Sequence, residues 1–173
     1  MRRPGLLLAA TFITAAALAG CGKPQSGQAT GSEEASEPAT APAAAPVELT
    51  DAQKATLVAT LPAPYSAGDI ANGKKVFMVC KSCHTTVQGG ANMTGPNLWG
   101  VIGRKSASEA GFNYSDGMKA LNITWDAPKI DEWIESPKTM VEGTKMSFVG
   151  VKAPKDRADL IAYLKTETSP APQ

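Results

Sequence analysis

Two cysteines one helical turn apart, with a histidine directly after the second, constrain this chain more than any other stretch: Cys80-Lys81-Ser82-Cys83-His84. Cysteines at i and i+3 lie on one face of a helix. Their thiols can there form thioethers with the two vinyl groups on one side of a porphyrin, and the histidine falls beneath the iron. The pattern is the attachment signature of c-type haem. Other readings fail on chemistry. A structural zinc ion needs about four ligands, and beyond this motif the chain has no histidine and only one cysteine, Cys21. A thioredoxin-like dithiol opens a helix after a strand of a βαβ unit, and no such alternation surrounds Cys80. One covalent haem c with its iron, attached through Cys80 and Cys83, is the expected cofactor.

The first residues supply an export context. Arg2 and Arg3 form a basic start, residues 6–18 an apolar run, and Leu18-Ala19-Gly20-Cys21 resembles the lipobox at which bacterial lipoprotein precursors are lipidated and cut. The apolar run is shorter than the roughly 20 residues of a spanning helix. A lipoprotein signal peptide is therefore expected over 1–20, with Cys21 as the lipidated mature N-terminus. That assignment uses all three cysteines and leaves none for a disulfide. Residues 22–46 are Ala, Pro, Gly, Ser, Thr, Gln, Glu and one Lys, too polar to offset chain entropy by burial, and read as a disordered tether. Such a tether reaches about 30 Å as a coil and at most about 90 Å extended. Thr50-Asp51-Ala52-Gln53 has the form of a capping box, followed by Leu57, Val58 and Leu61 at helical spacing, so 21–64 should hold the tether and a short helix before the domain. Whether that helix packs on the domain is open at this level.

The globular part is expected over 65–168, with a short tail over 169–173. A first helix should run over 69–79 with Val76, Phe77 and Cys80 inward, and a second over 115–121. Asp126 should cap a third that begins at Ala127-Pro128, turns Ile130, Trp133 and Ile134 inward, and stops before Pro137. The last starts at Pro154 and presents Leu160, Ile161, Tyr163 and Leu164 at i, i+3 and i+4 spacing. No segment alternates, so the fold class is all-α with long loops. A porphyrin would supply the core that such a small, loop-rich domain lacks.

Several further motifs occur in order: Thr94-Gly95-Pro96-Asn97-Leu98-Trp99-Gly100, Gly103-Arg104-Lys105, Gly111-Phe112-Asn113-Tyr114-Ser115-Asp116, Ile123-Thr124-Trp125, Gly143-Thr144-Lys145-Met146-Ser147-Phe148 and Leu160-Ile161-Ala162-Tyr163-Leu164. With the haem pentapeptide they resemble the class I cytochromes c of mitochondria and related bacteria. The resemblance implies that His84 is the proximal iron ligand and that the Pro96 carbonyl accepts its Nδ1 proton, fixing the tautomer. It implies that Met146, whose separation from His84 matches the family spacing, is the distal ligand. Tyr114 and Trp125 correspond to residues that hydrogen-bond a buried haem propionate, Arg104 to one that offsets its charge, and Gly68 with the Tyr163 face to the crossing of the first and last helices. Three positions depart from the mitochondrial pattern: Glu142 stands where proline is usual, Trp133 where a tyrosine adjoins the distal ligand, and Met118 where an asparagine is usual.

His/Met ligation leaves iron six-coordinate, suited to one-electron transfer with little atomic movement, and the thioether favours the ferrous state. The chain therefore reads as an electron carrier and not an enzyme. A small haem peroxidase or gas-binding haem protein is the alternative, but it would need an open distal position where Met146 is expected. The signal segment and Cys21 make the expected protein periplasmic and lipid-anchored, and the resemblance implies a monomeric carrier in a respiratory chain, passing electrons from a cytochrome bc complex to a terminal oxidase, without nucleic-acid partners. From residue 65 to 173 there are thirteen Lys and Arg against eleven Asp and Glu, a net of +2, whereas residues 22–64 hold two Lys and five acids, a net of −3. Lys81, Lys138, Lys145 and Lys152 lie in segments that frame the haem edge in the family, so a modest basic ring toward acidic docking sites is expected.

Overall fold

Pro154 opens α6 (Pro154–Glu167), the longest helix among the described residues, around which the domain is built; a proline at the first position costs nothing there because its amide would be unpaired anyway. The computed structural model describes residues 48–172; the signal segment, Cys21 and most of the tether lie outside the described residues. The other helices are α1 (Asp51–Ala59), α2 (Ile70–Phe77), α3 (Asp116–Ala120), α4 (Ala127–Glu135) and α5 (Pro137–Met140), with a 3₁₀ turn at Tyr65–Ala67. No strand occurs among the described residues, which carry a single isolated antiparallel bridge between Lys105 and Thr124. The all-α expectation is met. No helix of the described residues is long and apolar enough to cross a membrane.

Helices α2 and α6 cross in close contact, and glycine makes the crossing possible. A Cβ at Gly73 would lie 2.0 Å from the Asp159 carbonyl oxygen and 2.7 Å from Tyr163 Cβ. The sequence pointed to Gly68 as the marker of this crossing, and the structure moves the tightest approach to Gly73. Helix α2 begins only at Ile70, so Gly68 precedes it and packs instead on Ala158 and Ala162. Phe77 and Tyr163 meet with ring centroids 5.4 Å apart, and Phe77, Leu160 and Ile161 are almost wholly buried. Burial of each such side chain stabilises the fold by roughly 1.5–3 kcal/mol.

Polar groups lock the same crossing. Asp69 caps α2, its carboxylate accepting from the amides of Ala71 (2.8 Å) and Asn72 (3.1 Å). Asp159, buried on α6, accepts from the Asp69 amide at 2.8 Å, from Asn72 Nδ2 at 2.8 Å and from Lys155 Nζ at 2.5 Å. Burial disfavours its charge, but Lys155, the Asp69 amide and Asn72 together hold its pKa below the ordinary carboxylate value. On the other side Arg157, also buried, pairs with Asp131 of α4 at 3.1 Å and donates to the carbonyls of Val151 and Lys152.

The helix before the domain is docked. Thr50 and Gln53 form both bonds of the capping box, and Leu57, Val58 and Leu61 are buried, with α1 resting on α6 and the 3₁₀ turn. Together with α2, α4 and the 3₁₀ turn, α1 covers α6 on several sides, so α6 is buried from Arg157 to Leu164 rather than along one stripe. One boundary differs from expectation. Helix α2 stops at Phe77 rather than residue 79, because tighter turns take over. The third helix ends before Pro137 as expected, and Pro137 opens a further short helix, α5, at a position where proline is tolerated.

Candidate functional site

The pentapeptide continues from α2 as a run of turns. The amide of Cys80 donates to Phe77 O at 2.8 Å, and the amides of Cys83 and His84 both donate to Cys80 O at 3.0 Å. These bonds carry both thiols and the imidazole to the wall of one cavity of about 340 Å³. All the residues selected from sequence for the haem site line it: Cys80, Cys83, His84, Pro96, Arg104, Tyr114, Trp125 and Met146. Phe77, Leu98, Met118, Trp133, Leu160 and Leu164 supply much of the apolar remainder. The two tryptophans lean on each other at 5.7 Å between ring centroids.

His84 Nδ1 donates to the Pro96 carbonyl at 2.7 Å, which leaves the Nε2 lone pair for a ligand. Burial holds the imidazole pKa below its ordinary value; the Pro96 bond pulls upward and the Arg104 charge adds to the lowering, so the ring is neutral and able to bind metal. Burial pushes the Cys80 thiol up to about 11, with Cys83 contributing.

Sequence reasoning missed the residues that hold this side rigid. Gly95 lies flat against the imidazole: a Cβ there would come within 2.3 Å of His84 Cε1. Asn97, 3% exposed, donates through Nδ2 to Thr85 Oγ1 (2.7 Å) and Val87 O (2.9 Å) and accepts from the Trp99 amide (2.9 Å). Asn92 accepts from the Asn97 amide at 2.9 Å and donates to Ala110 O at 2.8 Å, clasping two loops. The motif around Pro96 was visible, but nothing in the spelling of Asn92 distinguishes a clasp from a loop asparagine.

Met146 sits on a lightly held loop. Its amide donates to Thr144 Oγ1 at 3.2 Å, the Thr144 amide to Val141 O at 3.3 Å, and Lys145 Nζ to Asn113 O at 2.7 Å. At the loop's start Glu142 O abuts α3, where a Cβ on Gly117 would lie 2.3 Å away. Tyr114 is half-buried; burial raises its pKa, against a hydrogen bond with the Glu109 backbone. Arg104 pairs with Glu109 and donates to Asn97 O (2.8 Å) and Trp99 O (3.1 Å).

Lys81, Lys138, Lys145 and Lys152, the lysines of the expected basic ring, are all exposed. Lys145 Nζ donates to Asn113 O at 2.7 Å, and Lys152 Nζ donates at 2.7 Å to Glu135 O, the last residue of α4, where helix carbonyls are unpaired. Both ammonium groups keep their charge while these bonds fix their positions.

Two thiols, a tautomer-fixed imidazole and a thioether in one largely apolar cavity are a donor set suited to a covalently held porphyrin, soft and nitrogenous rather than carboxylate-based. Comparisons with known proteins agree. The family model described as Cytochrome c matches residues 70–168. The chain is 48% identical over 103 residues to cytochrome c2 of Rhodomicrobium vannielii, covering 60% of this chain and 82% of that protein. It is 46% identical over 116 residues to cytochrome c-554 of Methylosinus trichosporium, covering 67% and 88%. Among solved structures it is similar to cytochrome cH from Methylobacterium extorquens, with 44% identity and a TM-score of 0.54, covering 57% of this chain and 99% of that one.

Proposed function

The chain belongs to the cytochrome c family, and from that premise we propose that it is a lipid-anchored periplasmic carrier passing single electrons from a cytochrome bc complex to a terminal oxidase. As a class I cytochrome c it carries a covalent haem c with its iron and is an electron carrier rather than an enzyme. When bound, the haem supplies the one-electron change at iron. In this reading Cys80 and Cys83 hold the group as thioethers. His84 and Met146 would hold its iron. The Pro96 carbonyl keeps the His84 proton on Nδ1, so Nε2 is always free to coordinate. Tyr114 and Trp125 would hydrogen-bond a haem propionate, and the apolar wall would keep water from the metal.

One observation carries the carrier reading: Met146 lines the same cavity as His84. A thioether in the distal position closes it to peroxide and gases. The membrane part rests on the Leu18-Ala19-Gly20-Cys21 sequence and on the count of acyl chains, since one chain gives only marginal binding and a lipoprotein cysteine carries two or three. A tether holds the domain at an effective concentration on the order of millimolar near its partners, so weak docking suffices. That agrees with the small net charge of the domain.

The test is made on the full chain expressed with haem attachment. Wild-type protein should sediment with membranes, titrate reversibly as a one-electron couple and leave its spectrum unchanged on adding carbon monoxide. The Cys21→Ser chain should escape lipidation, and any mature protein released should be soluble with the same haem spectrum. Carbon monoxide binding to the wild type would overturn the carrier, and soluble wild-type protein would overturn the anchor.

A further inference from the structure

Arg104 faces the cavity with a carboxylate already at its side. Its side chain is 17% exposed and that of Glu109 is 22% exposed, so the pair is largely screened from solvent. Among the described residues, three of its hydrogen bonds go to Glu109 Oε2, Trp99 O and Asn97 O. A guanidinium has five N–H donors in a fixed fork, so donors remain for an anionic ligand in the cavity, while the positive charge is matched by Glu109.

Glu109 is not a wandering surface acid. It lies in a segment pinned on both sides: Ser108 Oγ donates to Lys105 O at 2.7 Å, and Ala110 O accepts from Asn92 Nδ2 at 2.8 Å. The Asn92 clasp also receives the Asn97 amide, one residue after the carbonyl that orients His84. Arg104 and Glu109 are thus fixed to the same framework as the proximal ligand.

We propose that Glu109 is a positioning residue that sets the reduction potential, holding the Arg104 fork at the cavity wall and cancelling its charge. The proposal rests on the haem site described above. A haem carboxylate placed against Arg104 then meets a neutral pair with directed donors rather than a free cation. Its negative charge, left uncompensated, stabilises the ferric state and lowers the potential. Removing the charge on Glu109 releases the full Arg104 charge and favours the ferrous state.

The experiment is potentiometry on haem-loaded Glu109→Gln and Glu109→Asp. Glu109→Gln should raise the potential, with a change in the redox equilibrium of up to about tenfold, equivalent to about 59 mV for one electron. Glu109→Asp, which keeps the charge, should return most of the way to the parent. A purely structural role for Glu109 would lower the melting temperature of both variants and leave the potential in place. A Glu109→Gln protein with the parental haem spectrum and the parental potential would overturn the proposal. A wild-type chain without covalent haem would instead strike the haem site itself.

Discussion

The two segments that bring His84 and Met146 to the cavity are built differently. On the His84 side nearly every polar group is spoken for. The Pro96 carbonyl takes the imidazole proton, Asn97 bonds Thr85, Val87 and Trp99, and Asn92 ties this loop to Ala110. On the Met146 side the loop hangs on the Thr144 hydroxyl, the Val141 carbonyl and the Lys145 contact with Asn113. Order is concentrated around His84, while Met146 sits on a loop whose opening costs few hydrogen bonds. Local stability of that kind is graded across a protein rather than uniform.

The largest expected effect is obtained by breaking the rigid side. Gly95→Ala puts a methyl group within 2.3 Å of His84 Cε1, against a ring that the Pro96 bond does not allow to move. A cost at or above about 3 kcal/mol is expected, the upper end for overpacking, with a disturbed axial spectrum. Denaturant unfolding of the loaded protein checks it. A variant of parental stability would show that the proximal loop is softer than its hydrogen bonds suggest.

Next in size is the platform beneath that side, since α2 leads directly into Cys80. Asp159→Asn should cost about 1–3 kcal/mol at neutral pH by loosening the α2–α6 crossing. The folded carboxyl pKa lies below its ordinary value, so its stabilisation is complete above the unfolded value of about 3.9 and is lost as pH falls through the lower folded value. The variant should lack that part of the acid loss. Unfolding curves across the acid range measure it, and parallel pH profiles for parent and variant would remove Asp159 from the account.

The smallest effect sharpens the comparison by stiffening the loose side. Val141, at φ −133 and ψ 104, already has the extended backbone that a following proline demands. Glu142→Pro should stabilise the loop by about 0.4–1 kcal/mol, so exogenous imidazole should displace Met146 with an affinity lowered by roughly two- to fivefold. An unchanged affinity would mean that loop opening hinges elsewhere.

The contrast between the two sides was only half legible in the sequence. Covalent attachment, the helices and their caps were readable because each depends on short-range chemistry: Cys80 to His84, Thr50 with Gln53, Asp69, Asp126, and proline at the start of α4 and α6. The residues selected for the cavity came together because the motif order carried them. What escaped depends on contacts distant in sequence. Gly73 rather than Gly68 marks the helix crossing because only the packed pair shows where the Asp159 carbonyl lies. The docking of α1 and the Arg104–Glu109 pair were equally hidden, since an amphipathic helix and an acidic loop residue read the same whether packed or free. The carbonyls that Lys145 and Lys152 bond were hidden as well, because they belong to residues 113 and 135, distant in sequence.

The most direct test of the account is the visible and near-infrared spectrum of the oxidised, haem-loaded Met146→Ala protein beside the parent. The parent should show the far-red charge-transfer band of a sulfur–iron bond. The variant should lose it, bind carbon monoxide in the ferrous state and have a lower potential, while the His84 side keeps its haem covalently attached. Retention of that band in Met146→Ala, or its absence from the parent, would contradict the assignment of Met146 as the distal ligand.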